Sequence, residues 1–179
     1  GGGGNGGESY DLAAYFLARH TETDSLKIRG KKAYAFFTGD DDPFPVVSAR
    51  EVETHFGDRL QKDIPIREMF EELDRSYNTF FVIPYGHDRG ISNRWRHLLG
   101  DRVIILAADG ITSYVAAGVV VLTEGLVPDL VAYANTLKSD GVAGDLIGAV
   151  VRSLTPYTNS LGRAGVEGPR TETVSLPRR

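Results

Sequence analysis

The chain has 179 residues and a mass of 19.5 kDa, which suits one domain with a terminal extension. Hydrophobic residues make up 41%, charged residues 25%, and the formal net charge is −4, so a packed core is within reach while the basic surface of a nucleic-acid or anionic-membrane binder is lacking. Cysteine is absent, which excludes disulfides, zinc–thiolate sites, iron–sulfur clusters and thiol nucleophiles, and fits a reducing compartment such as the cytoplasm.

The chain opens on Gly1 rather than Met, and six of its first seven residues are glycine. This start is read as a processed end, a cloning boundary or the middle of a longer gene product. The glycine-rich loop runs into a helix from Glu8 to His20, with Leu12, Ala13, Phe16 and Leu17 expected on its buried face. A polar stretch, Thr21 to Lys32, follows. Ala33 to Thr38 is a short apolar and aromatic run that stops at Gly39-Asp40-Asp41-Asp42-Pro43, the pattern of a strand buried on both faces. Ser48 and Glu51 have capping-box spacing and open a helix that Gly57 closes. Ile66, Met69, Phe70 and Leu73 form the stripe of another helix.

Thr79 to Pro84 is the second buried strand. The loop Tyr85 to Gly90 leads to a helix carrying Ile91, Trp95, Leu98 and Leu99, and Arg102 to Leu106 is the third strand. Asp109 is expected to cap a helix reaching Thr123. Val127–Leu137 and Val142–Leu154 are helical candidates, and Pro156 to Arg179 reads as a disordered tail. No apolar run approaches the roughly 18 residues of a membrane helix. Short continuous strands alternating with helices predict an α/β fold with a mainly parallel central sheet and helices on both sides.

Three features carry chemistry. Asp40, Asp41 and Asp42 follow a strand, at the end where open parallel sheets bind ligands. Three carboxylates there suit a hard cation such as Mg²⁺, and equally suit a solvated turn before Pro43. The segment Gly1 to Ser9 is either a cradle for an anion at a helix N-terminus or a linker. His87 follows the second strand, as a metal ligand or general base on one reading and a surface histidine on the other.

Taken in order, these segments resemble the later part of a von Willebrand factor A-type domain of the bacterial intracellular kind. Gly3-Gly4-Asn5-Gly6-Gly7-Glu8-Ser9-Tyr10 is similar to that family's second metal-site loop. Gly30 to Asp41 is similar to its fourth strand and third metal-site loop. Pro65 to Glu68, Phe81 to Pro84, and Trp95 to Gly100 with the strand at Val103 to Leu106 resemble the remaining units. The likeness covers Gly1 to Gly125, leaving residues 126–155 as a helical extension and 156–179 as the tail. The family's DxSxS motif does not occur in the chain, so the resemblance implies the carboxyl-terminal portion of such a domain.

The resemblance implies a metal-ion-dependent adhesion site. Mg²⁺ or Mn²⁺ would be held by Asp40 with Asn5 or Glu8, and a protein partner would supply an acidic residue. The implied function is non-enzymatic protein binding in the cytoplasm, with no nucleic acid and no membrane. The absent amino-terminal part of the domain is a further partner on this reading. Two alternatives stand beside it: a Mg²⁺-dependent enzyme that takes a phosphorylated ligand on the glycine loop, and a structural piece of a larger protein without an active site.

Overall fold

The structure is a computed structural model that describes residues 8–164. Three strands, β1 (Ala33–Thr38), β4 (Tyr77–Ile83) and β5 (Val103–Ile105), form one parallel sheet in the order β1-β4-β5. The register sets Ala33 beside Tyr77 and Thr38 beside Val82, then Phe81 beside Val103 and Ile83 beside Ile105. A separate two-stranded antiparallel pair joins β2 (Val46–Val47) to β3 (Ile64–Pro65). The expected α/β class and parallel sheet are therefore present.

Each face of the sheet carries its own core. Strand side chains alternate, so Tyr77, Phe81 and Ile83 enter one cluster while Phe80 and Val82 enter the other. The first cluster is closed by α1 (Tyr10–His20), α3 (Ala49–Phe56), α4 (Ile66–Leu73) and α5 (Ile91–Leu99). The second is closed by α6 (Thr112–Thr123), α7 (Leu130–Ser139) and α8 (Gly144–Ala164).

Several elements follow their sequence signals. The Ser48 hydroxyl accepts from the Glu51 N–H at the start of α3, and Gly57 ends that helix with φ +79°. Met69, Phe70 and Leu73 are the buried stripe of α4. Other elements depart from expectation for identifiable reasons. Within the polar stretch lies α2 (Asp24–Arg29), a single capped turn with no buried residue and so no apolar period to find. In α1 the buried side chains are Tyr10, Asp11, Ala14 and Tyr15, whereas Phe16 is 43% exposed. That helix is apolar around most of its girth, so periodicity alone could not select the inward side. Asp109 does not cap α6, which begins after Ile111 with no side-chain cap.

The largest correction concerns the carboxyl-terminal third. α7 and α8 complete the second core: Tyr133, Leu137, Val150 and Leu154 pack with Phe80, Val82 and Ile104. α8 also continues through Pro156 to Ala164, so residues 156–164 are helix rather than tail; residues 165–179 lie outside the described residues. An internal proline costs a helix about 3 kcal/mol. Here Leu154, Tyr157 and Leu161 enter the second core on both sides of it, and each large apolar side chain buried returns about 1.5–3 kcal/mol. The Tyr157 and Thr123 hydroxyls also share a hydrogen bond of 2.7 Å. Among the described residues, no helix is long and apolar enough to cross a membrane.

Close packing at Gly118 joins α6, α7 and α8. A Cβ there would lie 2.5 Å from Leu154 Cδ1 and 2.6 Å from Tyr133 Cε1. Gly118→Ala is therefore expected to lower stability by about 1–3 kcal/mol through overpacking, read as a shifted urea midpoint.

Asp11 is fully buried, and neither carboxylate oxygen has a hydrogen-bond partner among the described residues. Burial pushes its carboxyl above the usual range, against the pull of the nearby Leu12 and Asp11 amides. A raised folded-state value makes the contribution of Asp11 greatest below the unfolded value and progressively lost as pH rises through the folded one. Asp11→Asn removes this loss. The stability difference, Asp11→Asn minus the parent chain, is expected to grow more positive from pH about 4 to neutrality in thermal melts.

Candidate functional site

The carboxyl ends of β1 and β4 form a charged rim, and a cluster of aromatic rings lies beneath it. Trp95 on α5 is fully buried and stacks on Phe81 of β4, with ring centroids 3.8 Å apart. Tyr10 on α1 meets both rings edge-on at 5.3 Å. Phe70 on α4 touches Trp95 at 5.6 Å and Phe37 of β1 at 5.8 Å. Five elements thus meet in one aromatic contact set directly under the acidic turn.

Each residue of that turn is held from a different direction. The Trp95 indole N–H donates to the Asp41 carbonyl at 3.1 Å. Arg94, one residue earlier on α5, donates from Nε to the Asp42 carboxylate at 2.6 Å. His87, in the loop after β4, meets Asp40 Oδ2 through Nδ1 at 2.7 Å. The Asp41 carboxylate accepts the Asp42 N–H at 2.8 Å. The Asp40 side chain is 48% exposed, so its carboxylate stands open to solvent beside the imidazole.

Glu8, which follows the glycine-rich segment in the sequence, arrives at the same place. Glu8 forms a parallel bridge with Pro43, and its N–H donates to the Asp42 carbonyl at 3.2 Å. The Glu8 carboxylate accepts the Tyr10 hydroxyl. Burial pushes the Tyr10 phenol well above its usual range, and the Glu8 carboxylate adds to the shift. Of the sequence-expected residues, Asp40 and Glu8 therefore sit on one rim; Asn5 lies outside the described residues.

In the next loop, burial draws the Asp88 carboxyl upward, but the Ser92 N–H and hydroxyl outweigh it and hold the group below the usual range. Asp88 thereby fixes the first turn of α5, and with it Arg94 and Trp95. Beyond the turn, Phe44 and Pro45 lead into a cleft of about 580 Å³ that Val46, Ser48, Glu51 and His55 also line.

The sequence reading missed Tyr10, Arg94 and Trp95. A signal for Trp95 existed, since it is the sole tryptophan and lies on an apolar stripe. Its pairing with a carbonyl across the fold is non-local and leaves no local pattern.

The donor set does not fit a complete divalent-cation site. Hard cations take about six oxygens. Among the described residues no three His, Asp or Glu side chains converge in that way. Asp40, Asp42 and Glu8 are each engaged by His87, Arg94 and Tyr10. No protein-family model, no curated protein and no solved structure matches the chain.

Gly39 is the tightest point of the rim. A Cβ there would lie 1.7 Å from the Tyr10 hydroxyl oxygen. Gly39→Ala must displace a buried ring, and is expected to cost about 1–3 kcal/mol in chemical denaturation. The same variant should shift the emission of Trp95, against which Tyr10 packs.

Proposed function

We propose that the chain is a non-enzymatic protein-binding module of von Willebrand factor A type, with its contact surface on the rim at the ends of β1 and β4. The observation that carries this reading is the meeting of Glu8 with Asp42 and Pro43 beside a half-exposed Asp40. The rim is preorganised, which lowers the ordering cost of an association. It offers acceptors in the aspartates and donors in His87 and Arg94, each oriented by an aspartate. Tyr85, 53% exposed, adds an aromatic surface of the kind enriched in protein contacts. The adjoining cleft has room for a partner side chain.

A partner that offers an acidic residue has the Arg94 guanidinium to meet on this rim. Mg²⁺ or Mn²⁺ enters the proposal through the family resemblance, with Asp40, Glu8 and Asn5 as the residues that would contribute to holding it. The same resemblance supports a cytoplasmic setting and a partner in the amino-terminal part of the same domain. A second reading, an enzyme acting on a phosphorylated ligand, draws on one observation: Asp40 orients His87 with Nδ1 engaged, the arrangement of an imidazole readied as a base.

Calorimetric titration of the full chain with Mg²⁺ and then Mn²⁺ tests the cation limb. A partial donor set of this kind predicts weak binding at most, and a shallow saturable heat that disappears in Asp40→Ala is the expected result. Silence in both proteins removes the cation from the proposal and favours a purely structural piece. Turnover in a phosphatase screen, lost in His87→Ala, would replace the binding reading with the enzymatic one.

A further inference from the structure

α5 turns Ile91, Ser92, Trp95 and Leu99 inward against β4 and β5 and leaves Asn93, Arg94, Arg96 and His97 exposed. The chain carries a net charge of −4, yet its segment from His87 to His97 holds three arginines and two histidines against a single aspartate. Two of these basic side chains are engaged on the rim: His87 meets Asp40, and Arg94 donates to Asp42.

Arg89 and Arg96 stand apart from those bonds. Among the described residues the arginines in ion pairs are Arg19, Arg59, Arg94 and Arg102. The guanidinium forks of Arg89 and Arg96 therefore keep their donors for another molecule. Asp88 lies within electrostatic reach of Arg96, but it gives one oxygen to the Ser92 N–H and the other to the Ser92 hydroxyl. Successive residues step round a helix by about 100°, which sets Arg96 about 160° from Arg94 and away from the acidic turn that Arg94 holds. Arg89 precedes the N-cap Gly90 and stands about two turns from Arg96, roughly 10 Å along the axis, with Asn93 between them.

We propose that this outward face of α5 docks an acidic segment of a partner protein, with two carboxylates seated on Arg89 and Arg96 and the Asn93 amide donating between them. Guanidinium groups take carboxylates in bidentate pairs, which fix orientation as well as attract. Arginine is also enriched at the centres of protein interfaces. The surroundings favour a short protein segment over a more extended anion. Asp88 and the Asp40–Asp42 turn lie close by, and a nucleic acid or an anionic bilayer carries charge over a wide area that would press against these carboxylates. Two carboxylates on a protein segment reach the arginines and leave the aspartates alone. This inference does not rest on the binding role of the rim, because the two arginines belong to none of its bonds.

Fluorescence anisotropy of a labelled polyglutamate peptide, titrated with the full chain at low ionic strength, tests the proposal, with far-ultraviolet dichroism as the check on folding. Saturable binding is the expected result. Arg89→Ala and Arg96→Ala should each raise the dissociation constant about two- to fivefold, and the two together about tenfold. The Arg89→Glu/Arg96→Glu double variant should abolish binding. Arg59→Ala removes the same charge from a side chain that is 89% exposed elsewhere on the surface, and should leave binding unchanged. Glu8, Asp40, Asp42, His87 and Arg94 are intact in every variant, so failure here leaves the rim reading standing. Absence of binding overturns the proposal. So does an equal loss in Arg59→Ala, which would reduce the effect to net charge. Tighter binding of labelled oligothymidylate or of phosphatidylserine vesicles, lost in the same arginine variants, would assign the face to phosphate instead and overturn it too.

Discussion

The rim depends on the contact between the Trp95 ring, the Phe81 ring and the Asp41 carbonyl. Stacking on Phe81 fixes α5 against β4, and the indole N–H then fixes the turn that leaves β1. Both interactions belong to one buried side chain. An indole donor out of water must find an acceptor, because an unmade hydrogen bond there costs about 1–3 kcal/mol. The backbone of the acidic turn supplies that acceptor. Charged groups at the surface are thus placed by an apolar core, and their mutual bonds are a consequence of that placement rather than its source.

This arrangement explains why the exposed pairs matter for geometry more than for stability. His87–Asp40 and Arg94–Asp42 are short, yet both lie toward solvent, where such contacts contribute little to stability. Their value is orientation. Each aspartate presents one oxygen to a neighbour, and the Arg94 guanidinium keeps part of its donor capacity free. Tyr10 adds the connection to Glu8, since its ring belongs to the aromatic set and its hydroxyl donates to that carboxylate. Changes in the core should therefore be felt on the rim.

Legibility in the sequence followed the range of the interactions. The strands were readable because a strand buried on both faces must be apolar throughout, as Phe80 to Ile83 are. The Ser48 cap and the Gly57 stop were readable because each acts within a few residues. The acidic turn could be placed on the correct sheet edge because strand order and direction follow from the alternation of elements. What escaped depends on contacts distant in sequence. Nothing local shows that Tyr10 packs under Gly39, that Trp95 reaches Asp41, or that α8 gains enough from Leu154, Tyr157 and Leu161 to run through Pro156. Asp11 is a similar case: it lies in the first turn of a helix, where a carboxylate suits the dipole, and tertiary packing buries it.

The chain has a single tryptophan, so one indole N–H resonance reports on the interaction that organises the rim. Hydrogen exchange of that proton is the most direct measurement. If the indole is buried and bonded to Asp41, exchange should be slowed nearly to the rate set by global unfolding. Exchange as fast as that of a free indole would show that the turn is not anchored from below, and the account of the rim would be wrong.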